Sequence, residues 1–374
     1  MKKITCLCIF PLCFVLIRAR LGQGKIETKT IDGVVHVQNP AKPLKGVVTL
    51  ELEKILEIDP YKFPDVGARI IYAARADDGT VVLYDPNSAE AHRFSAKGEY
   101  LGRLFQKGQG PGEFASGTLI WFRDDSFLVA SFGKVAKYDK SGKFLEERRI
   151  EKFPSLFVND EFYFTEQRTR DIRKILLIHS PKNGRASLPP ILFFEAQETW
   201  LHRANDGSNR GFSSIWTTPI ILQCYDPQIR RSYVTMNTSI SIQVRDLEGK
   251  TVRVIEKPHK KIKLSRQEKE KVTFYKGPAD NWKIDNCPDY LVALREIETM
   301  PGGHLAAFRF SSFEKTEIDI FDTQGRFIYT LALPEKIELR NPFFHGTGIA
   351  GVLYGEDSTV YVEYRIKNLP DIFR

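Results

Sequence analysis

Lys107–Phe114 reads KGQGPGEF, and its reading decides how the chain is organised. The glycines at 108, 110 and 112 alternate, Pro111 splits them, and no apolar helical run follows, so the stretch is a turn between two sheets. A phosphate loop is the competing interpretation. It fails because Pro111 removes one backbone donor, Lys107 precedes the glycines instead of closing the loop, and no helix N-terminus follows. Gly108, Gly110, Pro111 and Gly112 are therefore expected to be structural.

The segments on either side of the turn are alike. Asp77–Phe105 runs DDGTVVLYDPNSAEAHRFSAKGEYLGRLF, and Arg123–Ile150 runs RDDSFLVASFGKVAKYDKSGKFLEERRI. Each holds a short apolar run after an acidic turn, an alternating run, a Lys-Gly or Ser-Gly turn and a further strand. Working outward, a third unit passes through Phe162–Phe164, Ile175–Ile178 and the Asn183-Gly184 turn. A fourth holds Ile220–Leu222, Ile240–Val244 and Glu248-Gly249. A fifth holds Leu305–Phe308, Ile318–Phe321 and Gln324-Gly325. Gly98, Gly142 and Gly184 mark a period in the low forties, which is the signature of a β-propeller. The sixth unit, Gly351–Tyr364, has about two strands, and the spare strands near Val34 and Val47 are expected to supply what it lacks. The expectation is an all-β, six-bladed β-propeller of four-stranded antiparallel blades, closed by pairing N- and C-terminal strands. A long insertion, residues 259–290, separates the fourth and fifth units, and Ser265 with Glu268 forms a capping box for a short helix.

The glycine turn and the two units around it resemble the NHL-type six-bladed propellers, and more closely the exported bacterial proteins described as 6-bladed β-propellers. The resemblance rests on Gly108–Phe114, Phe127–Ala130, Val135–Asp139 and Ser141-Gly142, and is specific over Gly79–Phe144. Ala115-Ser116-Gly117 departs from it where a proline is expected. The resemblance implies a fold and an exported location and carries no agreed activity.

The first 24 residues have the layout of a secretory signal: Lys2 and Lys3, then an uncharged apolar run from Ile4 to Ile17, then Gly22 and Gly24 before Lys25. The run is short for a membrane span, although Arg18 and Arg20 leave an uncleaved anchor as the alternative. The mature propeller would be residues 25–374, a periplasmic or secreted monomer. The net charge of +8 falls to +4 without the first 24 residues, which removes the case for a nucleic-acid partner. Cys224 and Cys287 would be the two cysteines left after cleavage, and sequence alone does not decide whether they pair.

The chemistry is sparse. Ser131-Phe132-Gly133-Lys134 and Ser312-Phe313-Glu314-Lys315 match S-x-x-K but fall in strand-and-turn repeats, where the hydrolase mechanism has no helix start. The seven histidines show no paired-ligand spacing. Asp85, Asp139, Asp160 and Asp322 stand near strand ends and read as turn caps. The most unusual composition lies between Arg168 and Trp216, where Arg168, Arg170, Arg173, Trp200, His202, Arg203, Arg210 and Trp216 occupy segments longer than a blade needs. Arginine beside tryptophan suits carboxylates, sugars or peptide side chains. The function expected is non-enzymatic: loops presented to a protein, peptide or glycan partner in the cell envelope, with no cofactor. The alternative is a Ca²⁺-dependent hydrolase or lyase with its site in the central channel.

Overall fold

The structure is a computed structural model. It describes residues 25–370 except 67–71, 86–88, 116–117, 152, 158–161, 169–173, 182–191, 196–199, 204–208, 213–216, 218, 274–275, 278–279, 314, 335–336 and 355–358, and between 162 and 216 it gives strand positions with side chains at Tyr163 and Thr165 alone. The secretory signal expected in residues 1–24 lies outside the described residues.

Four N-terminal strands come first: β1 (Glu27–Ile31), β2 (Val34–Gln38), β3 (Val47–Thr49) and β4 (Leu52–Ile58). Blade 1 is β5 (Tyr72–Arg75), β6 (Val81–Asp85), β7 (Glu90–Phe94) and β8 (Tyr100–Phe105). Blade 2 is β9 (Leu119–Arg123), β10 (Ser126–Ser131), β11 (Lys134–Asp139) and β12 (Phe144–Arg149). Blade 3 is β13 (Pro154–Phe157), β14 (Phe162–Arg168), β15 (Lys174–Pro181) and β16 (Leu192–Glu195), followed by a separate hairpin of β17 (Trp200–Arg203) and β18 (Asn209–Phe212). Blade 4 is β19 (Ile221–Asp226), β20 (Arg231–Met236), β21 (Ile240–Arg245) and β22 (Thr251–Lys257). Two short helices, α1 (Arg266–Val272) and α2 (Asn281–Asp285), precede blade 5, which is β23 (Leu294–Met300), β24 (His304–Phe310), β25 (Thr316–Phe321) and β26 (Phe327–Ala332). Blade 6 joins β27 (Arg340–His345), β28 (Gly348–Tyr354) and β29 (Thr359–Ile366) to β4. The chain is thus an all-β propeller of six four-stranded antiparallel blades.

Closure uses both chain ends, with one correction to the strands expected to provide it. The sixth blade has three strands of its own, and its fourth is β4, antiparallel to β29 with Ile58 opposite Tyr361. The strands at Val34 and Val47 go elsewhere. β2 runs parallel to β22 on the outside of blade 4, and β3 runs parallel to β26 on the outside of blade 5. Together, residues 25–49 form a strap over two blades. Asn39 pins it: the buried amide donates to the Gly325 carbonyl at 2.9 Å and accepts from the Phe327 N–H at 2.8 Å. The β-branched run at Val34 looks like a buried strand because valines suit any pleated surface, yet here it packs at the rim, half-buried.

Apolar alternation within each strand sends side chains to both faces of its blade, and the faces meet between neighbours. Val82, Tyr84 and Phe105 of blade 1 pack against Phe127 and Tyr138 of blade 2, and Ile320, Leu331 and Phe308 of blade 5 against Ile349 and Val362 of blade 6. The glycine turn feeds this packing. It lies between β8 and β9, where Phe114 is fully buried in the blade 1–blade 2 core with its ring 4.8 Å from that of Phe105. Glu113 folds back so that its carboxylate accepts from the Gly110 N–H at 2.9 Å and from Gln106 at 3.0 Å. The Gly112 N–H goes to Glu147, and Tyr138 donates to the Gly112 carbonyl. Gly112 has φ +71, which favours glycine, and a Cβ on Gly108 would sit 2.1 Å from the Glu113 carboxylate, so a larger residue there would displace that side chain. This loop does cradle an anion, and the anion is its own glutamate.

The helical insertion forms as the capping box implies, with Ser265 accepting from the Glu268 N–H and Glu268 from the Ser265 N–H. Leu264, Val272 and Cys287 of the insertion pack on Phe310 of blade 5. Cys287 is buried there, whereas Cys224 is buried between blades 4 and 5, and both are free thiols.

Candidate functional site in the central channel

The first strand of each blade is innermost. β5, β9, β13, β19, β23 and β27 together line a cavity of about 630 Å³. A second cavity, about 440 Å³, is bounded by the starts of these strands at Leu119, Phe153 and Ile221. Ser155, Gln223 and Glu296 line both, which places them where the two meet and makes the pair one channel.

Three of the six inner strands leave regular pairing at the channel wall. Register shifts occur between Pro154 and Leu156 in β13, between Leu294 and Glu296 in β23, and between Arg340 and Phe343 in β27. The residues at these irregularities include Ser155, Glu296 and Asn341, all of them channel-lining, and Asn341 takes φ 47. A bulge turns the strand and re-aims a side chain, which is how a wall built from repeated strands presents polar groups not found at matching positions in every blade.

Glu296 and Glu298 line the larger cavity, and Ile297 between them belongs to the core between blades 4 and 5 and borders the smaller cavity. Burial pushes the Glu296 carboxyl up to about 7, with Arg295 pulling the other way. Burial and then the neighbouring Glu296 hold Glu298 well above the usual carboxylate range, opposed by Arg123. The guanidiniums nearby are engaged. Arg123 donates to the Phe122 carbonyl at 2.7 Å and the Phe157 carbonyl at 3.3 Å, Arg295 to the Leu339 carbonyl at 2.6 Å, and Arg75 to Glu363 at 3.0 Å. Gln223 Oε1 is buried without a hydrogen-bond partner. In the middle of the channel the guanidinium donors are thus spent on the protein, whereas the Gln223 carbonyl oxygen still lacks a donor.

The arginine- and tryptophan-rich set expected from sequence falls on segments of which strand positions alone are described. Arg168 ends β14, Trp200, His202 and Arg203 lie on β17, and Arg210 lies on β18, where it is opposite His202. Arg170, Arg173 and Trp216 lie outside the described residues. The S-x-x-K pair at Ser131 and Lys134 closes a two-residue hairpin, and the lysine amine is held by the Gly110 carbonyl and Glu147. Asp139 and Asp322 cap turns, accepting from the backbone N–H groups of Lys143 and Arg326. Among the described residues no three His, Cys, Asp or Glu side chains are grouped to hold a metal ion.

The ring of six blades and its glycine turn define a propeller. The family model described as "6-bladed beta-propeller" matches residues 68–269, and the chain belongs to that family. Among solved structures, it is similar to a candidate exported protein from Bacteroides fragilis, with 15% identity, 87% of this chain and 99% of that chain covered, and a TM-score of 0.53. It is also similar to the calcium-binding protein regucalcin from Agrobacterium tumefaciens, with 12% identity, 88% and 99% covered, and a TM-score of 0.42. No curated protein matches the chain. At these identities the similarity shows the fold alone.

Proposed function

We propose that the protein is an exported binding propeller that captures a small ligand in its central channel, a peptide segment or glycan carrying hydrogen-bond donors. The observation that carries this reading is the buried Gln223 carbonyl oxygen, which lacks a partner, beside the Glu296 and Glu298 carboxyls. A desolvated acceptor without a partner is costly, and a ligand bringing N–H or O–H groups would satisfy it while reaching the two carboxyls. Export is supported by the charged start and apolar run of the first residues, and by the description of the Bacteroides fragilis protein. Among the described residues, no helix is long and apolar enough to cross a membrane.

Thermal-shift screening of the protein against amines, lysine-containing peptides and neutral oligosaccharides would test this. A hit is expected that raises Tm, and Glu296→Gln with Glu298→Gln should abolish the shift. Hits indifferent to both substitutions but lost with Trp200→Ala and Arg203→Ala would move the site to the β17–β18 hairpin.

A further inference from the structure

At the β27 end of the same channel stands a second constellation that ligand capture does not use. His345, the last residue of β27, lines the cavity. Its Nε2 is buried, makes no hydrogen bond and lies 3.6 Å from Glu363 Oε2. Glu363 sits on β29 and is 3% exposed. Its other oxygen, Oε1, is taken twice, by Arg75 Nε at 3.0 Å and by the Tyr361 hydroxyl at 2.8 Å. One carboxylate oxygen is thus saturated, and the other faces only the imidazole among the partners described.

This arrangement selects a tautomer. A bare Nε2 lone pair turned towards a carboxylate oxygen would be repelled, whereas an Nε2–H is attracted, so the ring proton belongs on Nε2 and the lone pair on Nδ1. Burial, and then the Arg75 charge, lower the imidazole to about 4, which keeps it neutral. A neutral ring with a fixed tautomer, a carboxylate behind it and a cavity in front is the arrangement of a general base with its positioning residue.

We propose that the channel also carries a hydrolytic site in which His345 Nδ1 is the general base for attack of water on a carboxylic ester, positioned by Glu363. His345 takes a proton from water as the water oxygen bonds to the carbonyl carbon. The bond from that carbon to the alcohol oxygen then breaks, and the departing oxygen takes the proton back from the imidazolium, leaving acid and alcohol. Water is the one co-reactant required. Glu363 stabilises the transient imidazolium, and Arg75 and Tyr361 hold Glu363 in place. A neutral ester suits this wall better than a phosphoester, because the cavity-lining Arg75 and Arg123 already donate to Glu363 and to the Phe122 and Phe157 carbonyls.

The test uses the full chain and 4-nitrophenyl acetate as probe. His345→Gln is expected to lower kcat/KM at least tenfold, while His259→Gln, outside the channel, leaves it unchanged. Glu363→Gln is expected to lower kcat with little change in KM. Nitrogen-15 NMR of the histidine rings in the unsubstituted protein supplies a readout that needs no variant, and the His345 proton is expected on Nε2. Wild-type turnover in the His345→Gln protein overturns the proposal, and so does a ring proton on Nδ1.

Discussion

Glu296 and Glu298 show how much a single strand position can matter for stability. Their folded-state pKa values are raised by burial, so the native protein keeps protons that the unfolded chain releases near the ordinary glutamate value. From about pH 4.5 up to 7 the native state therefore holds more protons than the unfolded state, and stability falls as pH rises through that window. Replacing either carboxyl by an amide removes the term. Glu296→Gln and Glu298→Gln are expected to raise Tm at pH 8 and to leave it nearly unchanged at pH 4, measured by circular dichroism at both values. An equal shift at both would mean that packing, and not charge burial, sets the effect.

At the scale of elements, the strap and the closing strand have different roles although they adjoin in sequence. β1 is exposed along its whole length, and β2 and β3 add parallel edges to blades that already have four strands. Without residues 25–49, every blade would still be complete. Such a truncation should fold and lose roughly 5 °C in Tm, chiefly through the Asn39 bonds and the cover over Phe327. Extending the deletion to residue 58 takes away β4, leaves β29 as an open edge and uncovers Tyr361 and Val352 of the blade 6–blade 1 core. That protein is expected to show no cooperative unfolding transition. Equal melting of the two truncations would assign closure to the strap.

Across the whole molecule, the ring depends on contacts between blades as well as within them. Asp319 of blade 5 is fully buried and accepts from Lys257 of blade 4 at 2.7 Å, from Arg309 at 2.8 Å and from Thr330 at 2.9 Å. Asp319→Asn leaves the buried Lys257 facing a neutral amide, while the partly buried Arg309 keeps Glu317, and should cost about 3 kcal/mol in urea denaturation. Lys257→Met leaves Arg309 and Thr330 on the carboxylate and should cost about 1 kcal/mol. The reverse order would show that the lysine supports the interface by itself. The fold was legible in sequence because every blade repeats the same local devices, and Asp139, Asp322 and the Ser265 box do what their positions suggest. The channel was not. Glu296, Gln223, His345 and Glu363 come from three different blades, and no spacing links them. The one local signal was Glu296 and Glu298 alternating with apolar residues in LREIETM, on a strand that starts a blade. The channel residues sit on short inner strands, where a side chain that faces the axis looks in sequence like any other strand position.

The pairing of β4 with β29 also bears on how the protein is made. β4 is synthesised long before its partner β29, so the sixth blade stays incomplete until residues 359–366 have been made. Blades 1 to 5 can take shape in order, but the ring cannot shut on a nascent chain. Any product that stops short of Thr359 would lack the strand on which β4 zips, and would present unpaired edges to whatever chaperones or proteases attend it.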